Sequence, residues 1–278
     1  MIPGIKTKGN GALSKLPVAL GEQMLEKVEK WLIEQGFSLE MRTASAFREV
    51  GFEVRQSTLY RDPETEKSRE VDVYAIDPDD RGILGISFVV ECKAAVKPWV
   101  LLCSPHTLSG YNRLFAFSVA TADARGALGD RFEDLVGNLP WLRKEGLIGY
   151  SLRQAFSDND AAYAAAMSVA KAADFQVNKI AGHVPKFCFV FPVIVVDSPL
   201  ILCSMSEAGQ IVLKEAEQGE FLFHADPPRN FGTCIRVVKS TSLPGFAAEA
   251  KQVANQLRAG LTTHVDEAWA IMCSPDKG

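Results

Sequence analysis

The sequence predicts an α/β protein, and three features carry that expectation. Two long apolar runs, 83–90 and 186–197, are rich in β-branched and aromatic residues and lack clean alternation, as expected of central strands covered on both faces. Helical periodicity marks residues 21–35 and an Ala-rich stretch that starts at Ser157 or Asp158 and ends near 181. Short strand-like runs separated by turn residues fill the last third.

Leu25, Val28 and Leu32, with Met24 and Trp31, make an apolar stripe over 21–35, opposite a solvated face of Glu22, Glu26, Lys27, Glu29, Lys30 and Glu34. Gly36 is a natural stop. A second helix is expected from Ser38, a good N-cap residue, to Val50, with Gly51 ending it. Residues 51–60 read as a first strand, and the charged segment 61–68 as a turn. Two further strands, 69–76 and 83–93, flank the turn Asp77-Pro78-Asp79-Asp80-Arg81-Gly82. Pro98 breaks the chain after Lys93, and residues 104–149 are too mixed for elements to be assigned. Asp158 is the expected cap of the Ala-rich helix. The run 186–197 reads as a buried strand completing the central sheet.

Strands at 200–205, 211–215, 220–224 and 234–238 follow, with a turn over 226–230, then helices near 244–258 and 266–272. They suggest an antiparallel extension with helices packed on the same core. The organisation expected is an N-terminal arm and helix packing on the core (1–35), a core (36–200) and a C-terminal strand and helix extension of the same domain (201–278). No Gly/Ser linker, internal repeat or low-complexity segment marks a boundary.

The candidate chemistry lies where the run 83–90 ends. Glu91 and Lys93 are two apart on a strand, so both project to one side while Cys92 turns away. Asp72 joins them if the hairpin folds at the right residue. A turn centred between Arg81 and Gly82 sets Asp72 opposite Glu91, whereas a centre at Asp79 and Asp80 sets it opposite Ser87. An Asp, a Glu and a Lys converging at a strand end can hydrolyse a phosphodiester with a hard divalent cation such as Mg²⁺ or Mn²⁺. The cation polarises the phosphoryl oxygen and acidifies water, and the lysine steadies the nucleophile or the charge on phosphorus. The same residues also serve as an ordinary solvated ion pair at a strand end.

These residues resemble the PD-(D/E)XK nuclease superfamily: an acid on one core strand (Asp72), then (Asp/Glu)-x-Lys on the next (Glu91, Cys92, Lys93). Val71 stands where the family has proline. The resemblance covers about residues 36–99, and Gly36 to Glu40 with Arg69-Glu70-Val71-Asp72 is similar to the type IV restriction-endonuclease branch. It implies a restriction-endonuclease-like mixed central sheet flanked by helices, a Mg²⁺ cofactor held by Asp72, Glu91 and the Cys92 carbonyl, and DNA, duplex or single-stranded, as substrate. Lys93 would position the attacking water.

The family commonly adds a glutamate from the first core helix. Glu40 shares a stripe with Ala44 and Phe47 and so faces the sheet, whereas Glu49 lines up with Arg42 and Ser45 on the wet side. Glu40 is therefore the expected fourth residue, orienting Lys93 or holding a second ion; its other reading is a carboxylate favoured near a helix N-terminus. Beyond Lys93, Lys97 could reach a phosphate and Trp99 could stack on a base, although such a tryptophan also serves as a core plug.

The 278 residues (30.3 kDa) are 47% hydrophobic and 23% charged, with formal net charge −4 and pI near 5.7, so any nucleic-acid contact must use a local patch. Six scattered cysteines without a Cys-x-x-Cys pair suggest buried thiols in a reducing cytoplasm rather than disulfides or zinc. Cys103 and His106 form only half a zinc spacing. The N-terminus is not a signal peptide, and no stretch approaches the ~20 apolar residues of a membrane span. Phosphate-loop, dinucleotide and nucleophile-elbow motifs are missing, and the four histidines lack metal spacing. The expectation is a cytoplasmic, metal-dependent deoxyribonuclease, as monomer or homodimer. The alternative is a catalytically inactive nucleic-acid-binding or assembly protein on the same fold, favoured by the acidic pI and opposed by retention of all four site residues.

Overall fold

The computed structural model describes residues 21–62, 65–109, 113–143, 147–158, 160–179, 186–224 and 232–274. The N-terminal arm (1–20), His183 and the turn at 226–230 lie outside them. The sheet is mixed and eleven-stranded among these residues. Helices cover both faces, giving the α/β class that the sequence predicts.

Helix α1 (Glu22–Glu34) is followed almost at once by α2 (Phe37–Glu49). The cap of α2 is Gly36 rather than Ser38: its φ of +88° makes the sharp turn between the helices, which a side chain would strain. Strands β1 (Glu53–Arg61), β2 (Ser68–Asp77) and β3 (Leu84–Lys93) form an antiparallel meander. At the β2–β3 turn Gly82 takes a left-handed φ of +66°, and the Asp79 carboxylate accepts the N–H groups of Ile83 (2.7 Å) and Leu84 (2.9 Å). Asp77 is buried and paired with Lys251 (2.6 Å) and Arg258, and Arg258 also reaches Asp79 and the Pro78 carbonyl.

After β4 (Trp99–Ser104), the unassigned region resolves into α3 (Arg113–Phe117), β5 (Val119–Ala120), α4 (Ala122–Asp130), α5 (Phe132–Val136), α6 (Pro140–Arg143) and β6 (Ile148–Gln154). The Ala-rich helix α7 (Ala161–Asn178) is capped by Asp160, not Asp158; its side chain accepts from Tyr163 N at 3.2 Å. Strand β7 (Phe187–Val196) is buried along its whole length and runs parallel to β3, with Lys93 beside Val196. Pro192, which cannot donate, falls where the ladder on the far side of β7 passes from β5 to β11.

The C-terminal third departs most from expectation. Its elements are β8 (Leu200–Met205), β9 (Ile211–Ala216), β10 (Gln218–Phe223), β11 (Thr233–Lys239), α8 (Leu243–Gly260) and α9 (Thr262–Cys273). The order across the sheet is β1-β2-β3-β7-β11-β10-β6-β4-β8-β9, with β5 on β7. Strand β11 therefore lies parallel to β7 inside the sheet, and β4 and β6 sit beyond it. Strands β10 and β11, an antiparallel pair, are thus not added to a finished core but join β7 to β6, whereas the antiparallel pair β8 and β9 extends the sheet at its far edge beyond β4.

One core lies on the α2 and α8 side, where Phe47, Phe52, Phe88, Phe191, Trp141 and Phe246 form a chain of ring contacts. The other lies under α7, whose small Ala162, Ala165, Ala166, Ala172 and Ala173 let the helix approach the sheet closely. Helix α1 forms as the periodicity predicts, but none of its residues is buried. No helix among the described residues is long and apolar enough to cross a membrane.

Candidate functional site

The β2–β3 ladder pairs Val73 with Val90 and Ile76 with Ser87, which centres the turn between Arg81 and Gly82. The next position in that register sets Asp72 against Glu91, so the folding-back that the site requires is present. The ladder from β1 to β2, however, passes over Ser57 and Asp72: Gln56 pairs with Val73 and Thr58 with Val71. Ser57 has a left-handed φ of +51°. Alternation slips there, since Val73 belongs to the α2-side core and Val71 to the α7-side core. The kink leaves the Asp72 carboxylate at the junction of the two faces, and its Oδ2 accepts the Cys92 N–H at 2.6 Å.

Glu91 and Lys93 project together, as their spacing predicts. Lys93 Nζ donates to Glu91 Oε1 at 2.5 Å, and Ser168 of α7 donates to Oε2 at 2.7 Å. Asp197, at the end of β7, donates its backbone N–H to the Lys93 carbonyl and turns its carboxylate to Arg42 and Ser240. The Cys92 side chain points to the opposite face, where its Sγ lies 3.5 Å from the Thr43 hydroxyl of α2.

Charge is crowded here. Burial, then repulsion from Glu91, pushes the Asp72 carboxyl up to about 7 despite the Cys92 N–H that favours its ionised form. Burial also raises Glu40, with further contributions from Glu70 and Glu91. Burial alone would lower Lys93, but the attraction of Glu91, their hydrogen bond and Asp72 outweigh it and hold the ammonium charged. Burial raises the Cys92 thiol, so it stays protonated and is no thiolate ligand.

Glu40 thus belongs electrostatically to the cluster, on the same helix as buried Ala44 and Phe47. Glu49 is exposed and accepts from Ser45, on the wet face as expected. Trp99 is a correction: it is completely buried in the α7-side core and cannot stack on a base. Its apolar neighbours Leu101, Leu152 and Leu200 make the core plug the better use of that ring. The Lys97 ammonium is exposed and bonded to the Phe156 carbonyl.

Ser168, Thr43 and Glu70 escaped the sequence reading. Ser168 had one weak signal, the single serine within the Ala-rich helix α7; the other two look like ordinary helix and strand residues. Among the described residues no group of three His, Cys, Asp or Glu side chains stands close enough to hold a metal by itself. No family model, curated protein or solved structure matches the chain.

Proposed function

We propose that the protein is a metal-dependent nuclease hydrolysing phosphodiester bonds in DNA, with Asp72, Glu91, Lys93 and Glu40 as its working residues. The observation that carries this reading is the hairpin register, which sets Asp72 against Glu91 with Lys93 on the glutamate's own oxygen. The order α2, three antiparallel strands, α7 and a parallel β7 supports a restriction-endonuclease-like core. The donor set suits a hard divalent cation: buried, mutually repelling carboxylate oxygens gain from a shared positive charge. Two carboxylates, the Cys92 carbonyl and water match the habit of Mg²⁺, which keeps several waters, so a three-side-chain cage is not required.

Asp72 and Glu91 would hold the ion, which when bound neutralises phosphoryl charge and acidifies water. Lys93, kept cationic by Glu91, would hold the attacking water or the charge growing on phosphorus. Glu40 would orient the Lys93 ammonium from the α2 side. Ser168 fixes the Glu91 carboxylate so that its remaining lone pairs keep one direction.

A second reading, a non-catalytic nucleic-acid-binding or assembly protein, draws on the engagement of both Glu91 oxygens by Lys93 and Ser168. Plasmid and single-stranded DNA incubated with Mg²⁺, Mn²⁺ or EDTA separates the two. Metal-dependent cleavage lost in Asp72→Ala and Lys93→Ala supports the nuclease. Cleavage indifferent to both substitutions refutes the assigned roles, and DNA binding without cleavage supports the second reading.

A further inference from the structure

We infer that α1 is a homodimerisation helix, which pairs antiparallel with α1 of a second copy. Met24, Leu25, Val28 and Trp31 are 49%, 53%, 41% and 51% exposed, and no residue of the helix is buried. At 100° per residue, Met24, Val28, Trp31, Leu32 and Leu25 fall on one stripe, and the charged residues occupy the opposite arc. The patch continues onto α2 through Phe37, whose ring lies 5.7 Å from that of Trp31, and through exposed Met41. A 13-residue helix with no buried face is marginal in water, and among the described residues nothing covers this one.

The occupant is a second copy because the helix complements itself. Two antiparallel copies centred midway between Val28 and Trp31 set Val28 against Trp31 of the other copy. The same pairing sets Met24 against Gln35. An antiparallel two-fold pair brings each flank against the same flank of its mate. Lys27 and Glu34 share one flank, so the pairing sets Lys27 beside Glu34 of the second copy, twice over. The area is sufficient. Six half-exposed side chains per copy, each with roughly 100 Å² to lose, amount to roughly 600 Å² per copy, about what the smallest stable interfaces bury. The inference does not rest on the nuclease reading. It also has a geometric consequence, since Gly36 at the end of α1 abuts Ala94, the residue after Lys93. The pairing therefore holds the two candidate sites in one fixed relation.

The test is the mass of the 278-residue chain in solution by light scattering, across micromolar concentrations. The expected result is twice 30.3 kDa for the wild type and a folded monomer for Val28→Glu with Trp31→Glu. Because bulky changes can act through folding, the exposed charges give an independent reading. Lys27→Glu alone or Glu34→Lys alone should weaken dimerisation about tenfold, by trading two attractions for two repulsions. The double exchange Lys27→Glu, Glu34→Lys should restore it. A wild-type monomer overturns the inference, including one that dimerises only after removal of residues 1–20, which would mean the chain's own N-terminal segment covers the stripe. Single exchanges that dimerise like the wild type overturn the proposed pairing.

Discussion

Asp72→Asn should stabilise the metal-free protein at alkaline pH while destroying its response to divalent cations. The Asp72 carboxyl titrates near 7 in the folded chain against an ordinary 3.8, because burial and Glu91 oppose its charge. A carboxyl whose folded value is raised binds its proton more tightly in the native state. Its effect on stability is therefore absent below about pH 4, grows as the pH rises, and is complete above about 7. At full strength the penalty reaches about 4 kcal/mol. Asparagine carries no charge, its carbonyl can still accept the Cys92 N–H, and its amide can donate to Glu91.

Urea unfolding of both proteins at pH 5 and pH 8 measures the effect. The wild type should lose stability between the two pH values. The variant should lose less and should exceed the wild type at pH 8 by about 1–3 kcal/mol, or several degrees in Tm. Mg²⁺ at a hundredfold excess over its Kd should return about 2.7 kcal/mol to the wild type at pH 8 and nothing to the variant. A variant less stable than the wild type at pH 8, or an unchanged pH slope, would refute the argument that Asp72 is held against its own charge.

Ser168→Ala should raise the half-saturating metal concentration for cleavage about tenfold with little change in Tm, and Ser168→Thr, which keeps a hydroxyl, should restore most of it; a Tm loss without a metal effect would make Ser168 purely structural. Arg258→Ala leaves Asp77 buried beside Lys251 alone and should cost about 3–5 kcal/mol in urea unfolding; a loss below 1 kcal/mol would show that the β2–β3 turn does not depend on this clamp. Glu40→Gln should lower metal-dependent cleavage at least tenfold, whereas Glu49→Gln should leave it unchanged; equal effects would show that the helix face does not sort the two acids. Ser57→Gly should stabilise the fold by about 1 kcal/mol by relieving the left-handed backbone; destabilisation would mean that the serine side chain holds the kink.

Much of the candidate site was legible because its information is local. The spacing of Glu91 and Lys93, the apolar run before them and the Pro-Asp-Gly turn each sit within a few residues, where strand periodicity speaks directly. Helical periodicity likewise assigned Glu40 to the sheet side and Glu49 to solvent. Register was a conditional deduction: the sequence stated which turn centre would oppose Asp72 to Glu91, and folding chose that centre. The clamp of Asp77 and Asp79 on Arg258 helps hold it, and that contact spans about 180 residues.

By itself, then, the chain determined its strands outside residues 99–154, its longer helices and the charged end of β3, since each depends on side chains a few positions apart. Only the tertiary structure decided that β11 enters the sheet parallel to β7, that Trp99 is sealed in the core, that Ser168 reaches Glu91 across 77 positions and that the ladder breaks at Ser57 and Asp72. These depend on which distant surfaces bury one another best, a property of the whole packed molecule that no short window of sequence contains.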